Sequence, residues 1–407
     1  MMWDAVIVGA GAAGLMAAIH AAERGRRVLL LEKGKKPGVK ILMSGGTRCN
    51  ITHDCDARGI VEAFGPNGKF LHSPLAAHGP RDSIAFFNGE GVATKIEETG
   101  KIFPVSDRAV DVLEALLRRL HRGGATLSTS EPMTALEKLA EGFQIRTPQR
   151  EVTCEHLLIT TGGKSYPGCG TTGDGYAWAQ QFGHTIRPTR PALVPLTVQP
   201  AWVGELRGIT LPDVNLTVLE SGRRLTARRG SMLFAHFGLT GPAPLDVSRA
   251  VSGHPSPSSL ILEVDMLPTV KEPQFDEFLQ KESLASGKKQ LAVVLAEKLP
   301  RRVCDQLLAL CGQPLDRRAA ALSKPDRLKL VASVKRLTIP LRGTLGFEKA
   351  EVTAGGVNLD EVDSRTMQSK LAPGLFFAGE VLDLDGWIGG FNFQSAWSTG
   401  WLAGKHI

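Results

Sequence analysis

The feature that most constrains the fold lies at residues 4–34, DAVIVGAGAAGLMAAIHAAERGRRVLLLEKG. The pattern predicts a short apolar strand over residues 5–8, a helix over residues 12–24 and a second buried strand over residues 27–31. The glycine-rich turn GAGAAG joins the first strand to the helix. Strand, turn, helix and strand in this order form a βαβ unit, so we expect an α/β fold.

Each glycine of this turn has a physical reason. Gly9 allows the tight turn, Gly11 lets the backbone approach a pyrophosphate, and Gly14 lets the helix pack closely on the strand. The anion would lie at the helix N-terminus, where unpaired amides and the helix dipole favour negative charge. Glu32, at the end of the second strand, is placed to accept hydrogen bonds from ribose hydroxyls. The pattern predicts a bound dinucleotide, with a ligand-free turn as the alternative, and it does not distinguish FAD from NAD.

A second cofactor-like signature lies at the far end of the chain, in residues 373–404. Residues 375–378 read as a buried strand that ends in Gly379 and Glu380, and the sequence GGFN at residues 389–392 opens a helix. An acidic residue at a strand end can hold a ribityl hydroxyl, and the new helix N-terminus can face the electron-rich pyrimidine edge of a flavin. Because both ends of the chain hold a dinucleotide signature, a flavin is favoured over a nicotinamide.

Length and composition limit the class of protein. A chain of 407 residues with 43% hydrophobic and 22% charged residues is typical of a soluble protein of two or three domains. An acid, Asp4, stands where a secretory signal would need positive charge, and no apolar run approaches bilayer length, so we expect a cytoplasmic protein. The six cysteines are dispersed and lack a CxxC pair, so we expect reduced thiols and no metal site.

The middle of the chain changes character twice. Residues 106–122 predict an amphipathic helix, and residues 125–130 predict a strand that extends the parallel sheet. Alternation at residues 214–220 and the apolar run at residues 260–264 predict strands of a second domain. From residue 271 the pattern becomes helical.

The helical segment is also the basic one. The formal net charge of the chain is +7, and residues 271–336 hold 14 Lys and Arg against 8 Asp and Glu. A solvated helix surface would account for this bias, and the alternative is a surface that binds the phosphates of RNA. The candidate cations for that surface are Lys288, Lys289, Arg301, Arg302, Arg317 and Arg318.

The sequence resembles, from end to end, the HI0933-like family of bacterial flavoproteins, also called the YhiN/BaiN family. The motifs that carry the resemblance are VIVGAGAAGLMAA, KILMSGGTRCNIT, TTGGKSYPGCGTTGDGY, MLFAHFGLTGPAPLDVSR and AGEVLDLDGWIGGFNFQSAWSTG. The resemblance implies an FAD domain of the two-dinucleotide-binding-fold (Rossmann-like) type, interrupted by a β-barrel-like domain and a small helical domain. The expected boundaries are 1–190 plus 343–407 for the FAD domain, 191–268 plus about 337–342 for the barrel-like domain, and 269–336 for the helical insertion.

The resemblance also implies site residues. The residues expected at the ADP half are Gly9, Gly11, Ala12, Ala13, Gly14, Glu32 and Lys33. Those expected at the pyrophosphate and flavin are Ser44, Gly45, Gly46, Arg48, Cys49 and Asn50, completed by Thr161, Gly162, Gly379, Glu380, Gly389, Gly390, Phe391 and Asn392. There are departures, since Thr47 stands where many members have a third glycine, and Trp387 and Ile388 replace a polar pair.

The activity implied by the resemblance is reduction of an electron-poor carbon–carbon double bond by reduced FAD. NAD(P)H is the expected electron donor, although no second complete glycine fingerprint is visible. Such a reaction needs a proton donor, and the candidates are Tyr166, His236, Cys49 and Asp383. For His236 a packed histidine bonded to backbone is the alternative. For Cys49 a redox disulfide with Cys55 is considered, and a small packing residue is favoured.

Three functions agree with these observations. The preferred hypothesis is an NAD(P)H-driven reductase of a double bond in a small molecule. The second is flavin-dependent reduction of uracil in RNA, with the basic helical segment positioning the RNA. The third is a non-catalytic flavin-binding module.

Overall fold

The computed structural model describes residues 2–285 and 288–407. Its strands are β1 (Trp3–Val8), β2 (Val28–Leu31), β3 (Thr52–His53), β4 (Thr94–Ile96), β5 (Lys101–Pro104), β6 (Thr126–Ser128), β7 (Ala135–Lys138), β8 (Phe143–Arg146), β9 (Glu151–Ile159), β10 (Ile186–Ala192), β11 (Leu196–Val198), β12 (Thr210–Glu220), β13 (Arg223–Ala235), β14 (Gly238–Thr240), β15 (Leu260–Asp265), β16 (Leu337–Thr344), β17 (Val352–Val357) and β18 (Leu375–Phe377).

The α-helices are α1 (Ala12–Ala22), α2 (Val39–Thr47), α3 (Ala57–Ala63), α4 (His72–Ala77), α5 (Pro80–Gly89), α6 (Ala109–Arg122), α7 (Asp174–Gln181), α8 (Trp202–Glu205), α9 (Pro242–Ser252), α10 (Glu272–Ala285), α11 (Leu291–Leu295), α12 (Arg301–Leu310), α13 (Lys324–Lys335) and α14 (Phe391–His406). Short 3₁₀ helices lie at Gly65–Leu71, Pro167–Cys169, Pro257–Ser259, Ala319–Ala321, Phe347–Lys349, Leu359–Glu361 and Gly379–Val381.

The first compact unit comprises Met1–Pro191 and Glu351–Ile407 and is built on a largely parallel sheet. Strand β1 lies between β2 and β9, and β6 lies beyond β2, all parallel. Strand β18 pairs in parallel with the last residues of β9, whereas β8 pairs antiparallel with its first residues. The predicted βαβ unit is therefore confirmed, and the C-terminal strand joins the same sheet.

Helix α1 is apolar on nearly every side because sheet and helices cover it. Helix α14 lies directly on it, and the glycines of α14 make the approach possible. A Cβ added to Gly400 would lie 2.3 Å from the carbonyl oxygen of Ala13, and one added to Gly404 would lie 2.5 Å from that of Ala17. The last helix of the chain therefore packs backbone to backbone on the first.

The second compact unit is Ala192–Ala350. Strands β11, β14, β13, β12, β15 and β16 form a closed barrel in that order. Buried residues of the barrel and of helices α10–α13 belong to one hydrophobic cluster, for example Val264, Ile339, Phe275, Leu307 and Leu330. The expected α/β fold with an inserted barrel is thus confirmed, and the three domain boundaries stay a prediction.

Within residues 2–285 and 288–407, no helix combines the length and the apolar character needed to cross a lipid bilayer. The same residues contain no group of three or more His, Cys, Asp or Glu side chains arranged to hold a metal ion. All six cysteines are free thiols.

We expect Gly400→Ala to destabilise the protein because its methyl group would overlap the Ala13 carbonyl. Overpacking of this kind costs about 1–3 kcal/mol, which corresponds to a drop of roughly 2–10 °C in Tm for a unit of this size. Gly89→Ala, at the end of α5, is the matched control, since its added Cβ would meet no atom within 4 Å. Thermal unfolding followed by circular dichroism checks both variants, and equal Tm values for them would contradict the proposed packing.

Candidate dinucleotide site

The turn between β1 and α1 has two glycines that the fold requires and one that it does not. Gly9 has φ +106°, and a Cβ there would lie 2.7 Å from the Thr160 carbonyl oxygen. A Cβ on Gly14 would lie 1.9 Å from the Gly9 carbonyl oxygen. Gly11 has φ −84°, and a Cβ on it would meet no atom within 4 Å. The space beside Gly11 is therefore open, as close approach of a pyrophosphate requires.

Glu32 lies beside this turn, where two backbone amides hold it. Its Oε2 accepts a hydrogen bond from Ala10 N at 3.0 Å, and its Oε1 accepts one from Gly34 N at 2.7 Å. Each carboxylate oxygen keeps a further lone pair that a ribose hydroxyl could donate to. Lys33 is paired elsewhere, since its Nζ lies 2.5 Å from Asp174 Oδ2, and its expected contact with the ADP half stays a prediction.

The SGGTRCN motif interrupts helix α2. Ser44 leaves the helical region with ψ 152°, and Gly45 and Gly46 have φ +56° and +68°. Thr47 and Cys49 also have positive φ, +69° and +62°, a conformation that glycine adopts without cost and a β-branched residue rarely does. A glycine at position 47 would therefore relieve backbone strain.

Arg48 has partners that the sequence did not indicate. Its Nη1 donates to Glu97 Oε1 at 2.7 Å and lies 3.5 Å from Asp107 Oδ1. The guanidinium carbon lies 3.9 Å from the centre of the Phe103 ring. Arg48 thus anchors the loop, and its expected contact with the cofactor phosphates stays a prediction.

The SGGTRCN motif and the C-terminal GGFN motif are in direct contact. In the amide orientation that satisfies both side-chain atoms, Asn50 accepts from Gly390 N at 3.0 Å and donates to the carbonyl of Thr52. A Cβ on Gly390 would lie 2.4 Å from that same carbonyl oxygen. Trp397, which is fully buried, donates its indole N–H to the Ile51 carbonyl at 2.9 Å. Both ends of the chain therefore build one region of the first unit.

Glu380 is the centre of a polar network. Its Oε1 accepts from Ser165 Oγ at 2.7 Å and from Thr353 N at 2.9 Å. Its Oε2 lies 2.5 Å from Lys40 Nζ, which also donates to Ser165 Oγ at 2.9 Å. Sequence reasoning missed Lys40, Ser165 and Thr353, although the first two belong to motifs quoted above. Thr353 gave no sequence signal, because its role depends on how β17 is placed in the fold.

The turn around Gly379 brings this network to the fingerprint helix. A Cβ on Gly379 would lie 2.8 Å from Ala13 Cβ. At the other motif, Asn392 accepts from Gly386 N at 2.8 Å and donates to the carbonyl oxygen of Trp387 at 3.2 Å. The Trp387 ring lies edge-on to Phe391 at 6.2 Å. Asn392 thus fixes the loop that holds the indole.

Two buried hydroxyls near these motifs have no hydrogen-bond partner among the described residues. They are the Oγ1 of Thr161 and the phenol of Tyr176. Burial, followed by the charges of Glu380 and Asp383, raises the pKa of Tyr176. Leaving a buried hydroxyl without a partner costs about 1–3 kcal/mol, and a bound polar ligand would remove this cost. Together with the space beside Gly11, these hydroxyls fit a dinucleotide cofactor.

The four candidate proton donors have different surroundings. Tyr166 is partly exposed and has φ +56° in the loop between β9 and α7. Asp383 accepts from Gly355 N at 3.1 Å. His236 is exposed and belongs to the second unit, whereas Cys49 has no exposed surface.

The thiols of Cys49 and Cys55 are both protonated at neutral pH. Burial raises the pKa of Cys49 to about 12. Burial and the neighbouring Asp56 and Asp54 raise that of Cys55 to about 11. Since the thiolate is the reactive form, these values favour the packing role over a redox disulfide.

We expect Gly11→Ala and Gly14→Ala to fail in different ways. Gly11→Ala should keep the wild-type Tm but weaken FAD binding at least about tenfold, which is 1.4 kcal/mol, because its methyl group occupies the open space. Gly14→Ala should lower the Tm itself through the overlap with the Gly9 carbonyl. Flavin fluorescence titration and thermal unfolding of the cofactor-free proteins measure both effects. Wild-type FAD affinity in Gly11→Ala would contradict a ligand at this turn.

We also expect Cys49 to resist alkylation by iodoacetamide at pH 8 in the native protein, because its thiol is buried and protonated. Burial also raises the pKa of Cys169, but its thiol is partly exposed, so it should be modified faster than Cys49 under the same conditions and serves as the control. Peptide mass spectrometry measures the labelling of each site. A disulfide-linked peptide joining Cys49 to Cys55 in the native protein would contradict the packing role.

Comparisons with known proteins agree with this geometry. The chain is 37% identical over 408 residues to the Escherichia coli K12 protein named ribosomal RNA dihydrouridine synthase, which covers 100% of this chain and 98% of that protein. It is 32% identical to the Clostridium scindens protein named 3-dehydro-bile acid delta(4,6)-reductase, over 98% of this chain and 97% of that one.

A solved structure shows the same fold at low sequence identity. The 3-ketosteroid-delta4-(5alpha)-dehydrogenase of Rhodococcus jostii RHA1 aligns with a TM-score of 0.50 and 15% identity, covering 99% of this chain and 97% of that chain. The family model described as HI0933-like protein Rossmann domain matches residues 3–406. The chain therefore belongs to the HI0933-like family of FAD-binding Rossmann proteins.

Proposed function

We propose that this protein uses FAD to reduce a uracil ring in ribosomal RNA to dihydrouracil. The observation that carries the proposal is the full-length similarity, at 37% identity, to the E. coli protein named for that activity. From the sequence we expect a small-molecule substrate, with RNA as the alternative. The comparisons support the alternative better.

The distribution of charge supports an RNA substrate. The second unit, Ala192–Ala350, contains 22 Lys and Arg against 15 Asp and Glu, whereas the first unit contains 26 of each. The entire net charge of +7 therefore belongs to the second unit. A local positive field of this kind attracts nucleic acid and accelerates its association.

The six cations predicted to contact RNA are not equivalent. Arg301 is paired with Asp305 at 2.8 Å, Arg317 with Asp326 at 2.9 Å and Lys289 with Glu297 at 3.6 Å. Arg302 donates to the carbonyl oxygen of Glu205. Lys288 and Arg318 are exposed. An arginine already paired with an acid gains less from a phosphate, so the helical segment supplies fewer phosphate contacts than its sequence indicated.

Bound FAD would supply a hydride to the uracil double bond, and NAD(P)H is proposed to reduce it. The turn at Gly11, the Glu32 carboxylate and the network around Glu380 would hold that cofactor. The hydride would add to the double-bond carbon that is not bonded to the C4 carbonyl. A proton must then be delivered to the other carbon of that double bond.

We propose Tyr166 as the proton donor. It lies in the first unit, where its side chain is partly exposed. Cys49 cannot touch a substrate in this conformation because it has no exposed surface. The Asp383 carboxylate accepts a hydrogen bond from a backbone amide.

Reduction of a small conjugated enone is the second candidate. The full-length similarity to the C. scindens protein named 3-dehydro-bile acid delta(4,6)-reductase favours it. Both substrates present the same electron-poor double bond, so one site could serve either of them.

Incubation of the FAD-loaded protein and NADPH or NADH with ribosomal RNA from cells lacking the protein tests the proposal. We expect dihydrouridine, detected by nucleoside mass spectrometry as a gain of two hydrogen atoms. A bile-acid enone serves as the parallel substrate. Turnover of the enone with no dihydrouridine in the RNA would establish the second candidate instead.

We expect Tyr166→Phe to slow oxidation of the reduced enzyme by RNA by about 10²–10⁴-fold, the usual contribution of a general acid. Reduction of the bound flavin by the nicotinamide should stay at the wild-type rate, since Tyr166 takes no part in that step. Stopped-flow absorbance of the flavin separates the two half-reactions. An unchanged oxidation rate would remove Tyr166 from the mechanism.

A further inference from the structure

We propose that Lys33 and Asp174 are positioning residues that hold residues 165–174 as a strap across the dinucleotide site and slow the release of FAD. This inference rests on FAD binding, which the proposed function also requires, but not on the identity of the substrate. From the sequence we expect Lys33 to contact the ADP half of the cofactor. In the structure its ammonium group is paired with the strap.

The position of the strap follows from the order of the parallel strands. Strand β1 lies between β2 and β9, and Val8 is level with both Leu31 and Ile159. The strap follows β9 in the chain, whereas Lys33 follows β2. Because the three strands end at the same edge of the sheet, a segment that joins these two places crosses the carboxyl end of β1. The fingerprint turn, residues 9–14, begins at that end.

The far end of the strap is held by one lysine. Lys33 Nζ donates to Asp174 Oδ2 and to Thr172 Oγ1, both at 2.5 Å. Thr172 donates in turn to Asp174 Oδ1 at 2.6 Å. A Cβ added to Gly170 would lie 3.7 Å from Lys33 Cε. Three residues of the strap therefore lie against the same lysine side chain.

The start of the strap is held by the network around Glu380. Ser165 N donates to Thr353 Oγ1 at 2.9 Å, and Ser165 Oγ donates to Glu380 Oε1 at 2.7 Å. In the middle of the strap, Cys169 Sγ lies 3.1 Å from Met43 Sδ of α2. The strap is therefore tied to the segments that follow β9 and β2, which flank the fingerprint turn on its two sides.

A cofactor in the open space beside Gly11 would lie between the fingerprint turn and the strap. FAD could then leave only after the strap moves, and that movement requires the Lys33–Asp174 pair to break. The two side chains are 32% and 46% exposed, so the pair contributes little to folding and can open while the unit stays folded. The pair therefore controls how fast FAD leaves.

The rate of FAD release tests the strap. The variants are Lys33→Gln, Asp174→Asn and the double variant, which replace the charges by polar groups of similar size. Release is followed by flavin fluorescence after dilution of the FAD-loaded protein. We expect each single variant to release FAD about two- to fivefold faster, as expected for loss of a partly exposed ion pair. The double variant should match the single variants, because either change breaks the same pair.

Two controls accompany these variants. Lys33→Arg keeps the positive charge and should release FAD at close to the wild-type rate. Arg146→Gln breaks another exposed ion pair of the same unit, in which Arg146 Nε lies 2.7 Å from Glu151 Oε1. This variant should leave the release rate unchanged, because both of its residues lie outside the strap.

Hydrogen exchange in the cofactor-free protein gives a readout that needs no flavin. Backbone amides of residues 166–173 should exchange faster in Lys33→Gln than in the wild type, while those of residues 9–14 should not change. Thermal unfolding verifies that each variant folds. Unchanged exchange in residues 166–173 would contradict a strap held by Lys33.

A direct contact of either side chain with the cofactor would give a different pattern. If Lys33 bound the phosphates, Lys33→Gln would release FAD faster, whereas Asp174→Asn would free the lysine and slow release. If Asp174 bound a cofactor hydroxyl, Asp174→Asn alone would accelerate release. Either pattern, or accelerations that add in the double variant, would overturn the strap.

Failure of this inference can be told apart from failure of the proposed function. Wild-type release rates in both single variants, in a protein that binds FAD and forms dihydrouridine, would overturn the strap alone. A wild-type protein that binds no FAD would overturn the proposed function, and the strap with it.

Discussion

The contact between the first and last helices is the constraint on which the FAD unit depends. Two glycines of α14 allow its backbone to reach the carbonyls of α1, at distances that any side chain would prevent. This contact places the C-terminal motifs, residues 379–392, beside the fingerprint turn at residues 9–14, although more than 360 residues separate them in the chain. In the sequence, the whole of the second unit lies between the two segments that form the first unit.

Polar contacts of the site also join N-terminal and C-terminal residues of the first unit. Asn50 reaches Gly390, and Lys40 of helix α2 reaches Glu380, so two N-terminal residues are tied to C-terminal turns. Glu380 is held by three donors, which fixes its carboxylate before any ligand arrives. Such preorganisation lowers the entropy lost when a cofactor binds.

The sequence predicted the parts of this site that depend on local geometry. Gly9 and Gly14 are needed for a tight turn and a close helix, and both requirements are visible in a stretch of thirty residues. The partners of Arg48 could not be predicted, because Glu97 and Asp107 come from distant segments whose placement follows from the sheet β3–β5–β4. The same is true of Thr353, which reaches the site only through β17.

For the charged residues too, the sequence shows their number but not their partners. The excess of Lys and Arg after residue 271 was evident in the sequence, but the ion pairs that occupy many of them depend on helix packing.

Hydrogen exchange of backbone amides, with and without FAD, tests most directly whether both ends of the chain build one cofactor site. The account predicts slower exchange on FAD binding in three segments together, residues 9–14, 44–50 and 379–392. Protection confined to residues 9–14, with no change in the C-terminal segment, would contradict it.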